Sequence, residues 1–215
     1  MHTGVQVITL EVVTDTVSPR RIRKDAAANR LGLLTAAAHT LAHDPTASIE
    51  TIARAAGLSR RALYGHFDDR DALVRELIAS GAERFNAIAE GVDDSGPAPV
   101  VLARLALALW EGAAHVQFAA AIALDDIHVG DTATVIVPLR RRVLRIIERG
   151  RDEGTFRIDL SAVTVSRLVE EAARTVITRL DGSRPDAADV AARAILGVAG
   201  LGWREADTVL GSLRP

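Results

Sequence analysis

Residues 48–67 read SIETIARAAGLSRRALYGHF, and the rest of the chain is best interpreted outward from them. Ser48 stands as N-cap to a short helix through about Ala56, because its hydroxyl can accept from an unpaired first-turn N–H. Gly57-Leu58-Ser59 makes a tight turn in which Gly57 tolerates left-handed dihedrals. Ser59 can then cap a second short helix through about Phe67. Ala53 is small enough for the two helices to cross closely. Ile52, Ala56, Leu58 and Leu63 fall where they can pack with Leu31, Leu34 and Leu41 of a preceding helix into a small three-helix core. That packing leaves outward a face opening with Ser59, Arg60, Arg61 and Ala62. Arginine at the start of a helix lying in a major groove can reach guanine O6 and N7 as a bidentate pair. A purely structural helical hairpin is the plainer alternative.

Helical periodicity precedes this stretch from about Arg20 to His43, with Leu31, Leu34, Ala38 and Leu41 at steps of three and four. Asp44-Pro45 stops it. Downstream, Asp68 or Asp69 can cap a longer helix supported by Leu73, Leu77, Ile78, Phe85 and Ile88. The run Gly91 to Pro99 is turn chemistry throughout and marks the clearest boundary. Helices are then expected from Val100 to about Phe118 and from Ala119 to His128. A further one opens or kinks at Pro138 and ends near Gly150–Gly154. Ser161–Leu180, Asp186–Val198 and Trp203–Leu210 complete the set. The expectation is an all-α protein of about nine or ten helices. Residues 1–18 are read as a disordered or loosely docked arm, 19–67 as a helix-turn-helix unit, 68–90 as a connecting helix and 91–215 as a larger regulatory body.

Composition narrows the function classes. The chain has 215 residues, no cysteine, and 48% hydrophobic against 25% charged residues. The absence of cysteine excludes thiol nucleophiles, disulfides and cysteine-held metals; the balance of the rest fits a folded globular chain. No run of 18 or more residues is apolar and uncharged, and residues 1–18 lack a secretory pattern, so a cytoplasmic location is expected. Net charge is −2, yet Pro19–Phe67 holds eight basic residues (Arg20, Arg21, Arg23, Lys24, Arg30, Arg54, Arg60 and Arg61) against Asp25, Asp44 and Glu50. That surplus of five leaves −7 on the remainder. A basic N-terminal quarter on an acidic body suits a nucleic-acid reader joined to a different module.

The combination Ile52-Ala53, Ala56-Gly57-Leu58-Ser59, Leu63-Tyr64-Gly65-His66-Phe67, then Arg70, Ala72 and Leu73 resembles the DNA-binding signature of the TetR-type transcriptional regulators. A weaker echo is Ile147–Arg157, similar to the Gly-rich turn after the seventh helix in many of them. The resemblance implies a DNA face of Ser48, Ser59, Arg60, Arg61, Ala62, Tyr64, His66 and Arg70. The arginines of the recognition helix would meet bases, while Tyr64 and His66 would donate to phosphate oxygens. Arg70 stands where the family often has a lysine that grips the backbone. Phe67 is expected in the core.

The resemblance also implies a homodimer built on the helices at about Ser161–Leu180 and Asp186–Val198. Ala187, Ala188, Ala191, Ala192, Ala194 and Gly197 would permit close approach, and a palindromic operator would follow from the two-fold axis. A small-molecule effector site is expected inside the body. Its candidate residues are Phe85, Trp110, His115, Phe118, Ile122, Glu171, Arg174 and Thr178, with Val143 and Gln117 beside them. No cofactor or catalytic metal is expected. Asp125, Asp126, His128 and His115 could only be forced into a metal site, and no phosphate loop or nucleophile elbow is found. The alternative to a ligand-released repressor is a helical ligand- or protein-binding module whose DNA reader no longer functions.

Overall fold

The computed structural model describes residues 30, 32–41, 43, 44, 46–114 and 134–214. Nine helices are found among them. α1 covers 32–41, α2 Ile49–Ala55, α3 Arg60–Tyr64, α4 Arg70–Gly91 and α5 Ala98–Ala114; α6 covers Val137–Asp152, α7 Ala162–Arg179, α8 Ala187–Ala199 and α9 Trp203–Ser212. The described residues contain no strand, so the all-α expectation holds. The arm at 1–18, the basic run Arg20–Lys24 and the helix expected at Ala119–His128 lie outside the described residues, as do Leu31, His115, Gln117, Phe118 and Ile122.

Two hydrophobic cores divide the fold. The first joins Leu33, Leu34, Ala37 and Leu41 of α1 to Ile49, Ile52 and Ala53 of α2, Leu63 of α3, Phe67, and Leu73, Val74, Leu77 and Ile78 of α4. The buried stripe of α1 thus runs through Leu33, Ala37 and Leu41. Ala38, expected on the core line, is only half-buried, because successive steps of four centre the stripe one position earlier. The second core is built around α5, which is buried almost all round, and takes Ile146 and Ile147 from α6, Val165 and Val169 from α7, and Ile195 and Leu196 from α8. α4 contributes to both, through Leu73–Ile78 at one end and Ala89 at the other.

The helix ends follow local chemistry. Ser48, Ser59, Asp69 and Ser161 each accept a hydrogen bond from a backbone N–H three residues on, satisfying a donor that the helix itself leaves unpaired. Pro138 opens α6 rather than kinking it. At the α2–α3 turn, Gly57 adopts φ +68, and Leu58 N–H reaches Ala53 O at 2.9 Å while Gly57 N–H reaches Arg54 O at 3.1 Å. This paired pattern needs a left-handed residue after the helix, which glycine supplies without a Cβ clash.

Candidate nucleic-acid interface and effector cavity

α3 is only five residues long, too short to persist on propensity alone. It is held by Leu63, fully buried, and by Phe67 just beyond it. With that side fixed, Ser59, Arg60, Arg61, Tyr64 and His66 are all exposed, and Ala62 is half-buried. Ser48, at the start of α2, is exposed as well. The structure therefore gathers seven of the eight expected DNA-facing residues onto α2, α3 and the turn after α3.

Two details go beyond the sequence. Arg60 Nη2 lies 3.1 Å from Glu50 Oε1 on α2, and its guanidinium carbon is 5.5 Å from the centre of the Tyr64 ring. The Glu50 carboxyl is held below its usual range, first by a hydrogen bond from its own backbone N–H and then by Arg60 and the Ser48 hydroxyl, against a partial loss of hydration. Arg61, its neighbour, makes no ion pair among the described residues. Arg70 is the eighth residue and sits differently: it is half-buried, and its Nε–H donates to Ala47 O at 3.2 Å. It ties the start of α4 to the loop before α2.

In the body, a cavity of about 80 Å³ lies between α5, α6, α7 and α8. Leu102, Leu105 and Leu109 form one wall, Leu139 and Val143 another, and Ala173 and Ile195 close it. Its charged groups are Arg140 and Glu170. Arg140 Nε–H donates to both carboxylate oxygens of Glu170, at 3.0 and 2.9 Å, and Nη2 donates to Oε1. That bond, partly offset by lost hydration, raises the Arg140 guanidinium above its already high range.

None of the expected effector residues that are described lines this cavity. Trp110 is buried but packs in a satellite cluster with Ala187 and Ala191. Phe85 is half-buried on α4. Glu171 faces outward and pairs with Arg174 at 3.5 Å, and the Thr178 hydroxyl donates to Arg174 O at 2.8 Å. Val143, of the wider apolar set, does line it. The helical phase of Leu139, Val143, Ile146 and Ile147 was the available signal, since it sets Arg140 at the margin of the buried face of α6.

The cavity helix α6 is also bonded to α4. Asn86 Nδ2–H donates to Val135 O at 2.8 Å, and Leu139 N–H donates to Asn86 Oδ1 at 3.2 Å. Arg142, its side chain mostly buried, donates to Ala89 O and, at 2.7 Å, to Val92 O. These carbonyls stand at the end of α4, where acceptors outnumber backbone donors, and Ala89 O is shared with Val92 N–H at 3.4 Å.

Residues 33–77, which cover α1 to the middle of α4, match the family model of bacterial regulatory proteins, tetR family. That segment, about a fifth of the chain, is therefore similar to the DNA-binding domain of the tetR family. The full tetR-type architecture is seen in solved structures as well. A tetR-family regulatory protein from Rhodococcus RHA1 is 19% identical and superposes with a TM-score of 0.68 over 81% of this chain and 98% of that one. The transcriptional regulator FadR of Bacillus subtilis, solved with stearoyl-CoA, is 13% identical with a TM-score of 0.66, covering 79% and 97%. The tetR-like regulator LfrR of Mycobacterium smegmatis, solved with proflavine, is 20% identical with a TM-score of 0.62, covering 80% and 96%. At such identities the likeness is one of fold. No curated protein matches the sequence significantly. Among the described residues no helix is long and apolar enough to cross a membrane, and no cluster of three or more His, Asp or Glu side chains is placed to hold a metal ion.

Proposed function

We propose that the chain is a sequence-specific DNA-binding transcriptional regulator, a non-enzymatic homodimer that represses by occupying a palindromic operator in the cytoplasm and leaves it when a small molecule binds the body. The carrying observation is the exposed face of α3, where Arg60, Arg61 and Tyr64 stand on a helix whose opposite side is fixed by Leu63. Arg60 is the proposed base-reading residue. Ser48, Ser59, Tyr64, His66 and, with no ion pair among the described residues to hold it to a base edge, Arg61 would meet sugar and phosphate, Ser59 with the hydroxyl hydrogen that its capping bond does not use. Arg70 would act on DNA indirectly, by fixing α4 against the loop before α2.

Dimerisation is proposed through α7 and the outer side of α8. Val163 and Leu168 of α7 are exposed apolar side chains at 51% and 42%, and Gly197 of α8 is exposed beside half-buried Ala194. The other small residues expected there serve the chain's own packing instead: Ala187, Ala191 and Ala192 are buried, and Ala188 is half-buried against the Trp110 cluster. Such a dimer would set its two α3 helices about one turn of DNA, roughly 34 Å, apart.

The effector proposed is apolar and aliphatic. The cavity is walled by leucine, valine, isoleucine and alanine, and Glu170 is already bonded to Arg140, so a planar cation of the kind held by LfrR would find no unpaired carboxylate there. Site selection from random duplexes, followed by titration at several salt concentrations, tests the DNA reading. A palindromic consensus bound by a dimer with a steep salt dependence is expected. Arg60→Ala should cost about 1–3 kcal/mol at one base pair per half-site. Equal binding of all duplexes by the folded dimer would leave only the module with a non-functional reader.

A further inference from the structure

Arg60 and Arg61 are adjacent, chemically identical and both exposed, yet the structure treats them differently. Arg60 is bracketed by Glu50, 3.1 Å from Nη2, and by the face of Tyr64 one turn further along α3. Glu50 is itself anchored, in the first turn of α2, where a carboxylate is favoured by the unpaired helix N–H groups. A carboxylate at this edge of the molecule repels the phosphates of any duplex. It therefore lowers affinity for DNA in general, whatever the sequence. It also takes one edge of the Arg60 fork. An arginine without such a partner can turn to whichever phosphate oxygen is nearest, whereas Arg60 must break an ion pair to do so. Its remaining edge keeps two N–H donors in the geometry that matches guanine O6 and N7.

We propose that Glu50 is a specificity-determining positioning residue, which holds Arg60 to the base edge and away from the phosphates at the expense of overall DNA affinity. The inference rests on the DNA reading given above. It assigns Glu50, an acid on a basic surface, a part that neither charge counting nor the family motif identifies.

The test compares native protein with Glu50→Gln on the selected operator, on operators changed at the base pair to which Arg60 responds, and on a random duplex of equal length. Glu50→Gln is expected to bind the random duplex several-fold tighter and to steepen the salt dependence by about one phosphate contact. Discrimination between the operator and its changed versions should fall roughly fivefold or more, within the range that a bidentate pair commands. In the Arg60→Ala background the same substitution should leave discrimination where Arg60→Ala alone puts it. Unchanged discrimination and salt slope in Glu50→Gln would overturn the proposal and reduce the contact to an ordinary surface ion pair. A loss of discrimination that persists without Arg60 would also overturn it, because Glu50 would then act on the bases directly. If the native protein selects no site at all, the DNA reading fails and this inference falls with it; a selected palindrome with an inert Glu50→Gln sinks the inference alone.

Discussion

Replacing Phe156 by alanine is expected to lower the melting temperature of the helical body by roughly 10 °C, since about 3–5 kcal/mol is lost when a buried aromatic is truncated and each kcal/mol moves a chain of this size by about 2–4 °C. Phe156 is 4% exposed, and its ring lies directly over Gly150, the last buried residue of α6. An added Cβ at Gly150 would fall 2.7 Å from the ring Cγ and nearer still to Cδ2 and Cε2. The turn that brings the ring back is fixed by Thr155 and Phe156 N–H groups, which both donate to Gly150 O, at 2.8 and 3.0 Å. Gly150→Ala should therefore destabilise too, by about 1–3 kcal/mol of overpacking. The two losses should not add. Without the ring the methyl group has space, so the double variant should be more stable than the sum of the singles allows. Strict additivity, read by thermal or chemical unfolding, would show that ring and glycine do not share the contact.

Leu63→Ala should act at the other end of the molecule with a comparable effect, about 2–5 kcal/mol. Leu63 is the fully buried anchor of a five-residue helix, and its core shares no residue with that of the body. The expected result is a divided unfolding curve, in which α1–α3 and the start of α4 melt first while the body keeps its native transition. The DNA binding proposed above would be lost at temperatures where far-ultraviolet circular dichroism still reports most of the helix. A single shifted transition would show instead that the two cores unfold as one.

Much of the fold was legible because its signals are local. Ser48, Gly57, Ser59 and Asp69 determine helix ends through bonds spanning three to five residues, and each does in the structure what its position suggests. The exposed face of α3 was legible for the same reason, since fixing Leu63 and Phe67 inward turns Arg60, Arg61 and Tyr64 outward. The cavity was not legible. α5 is apolar nearly all round, so periodicity cannot say which of its faces meets a void. Arg140 and Glu170 lie 30 residues apart and Arg70 and Ala47 lie 23 apart; no spacing rule joins them. Glu50 was counted as one acid in a basic segment, because its pairing with Arg60 depends on how α2 crosses α3.

The 22 residues of α4 make a rod of about 33 Å. Its far end is gripped by Asn86 and Arg142, whose partners belong to the cavity helix and its approach, and its near end is built into the core beneath α3. A tilt of about 5° about the gripped end sweeps the near end through about 3 Å, given that length. In the function proposed above, a change of a few degrees in the angle of α4 would thus reach the scale on which a groove accepts or refuses a helix.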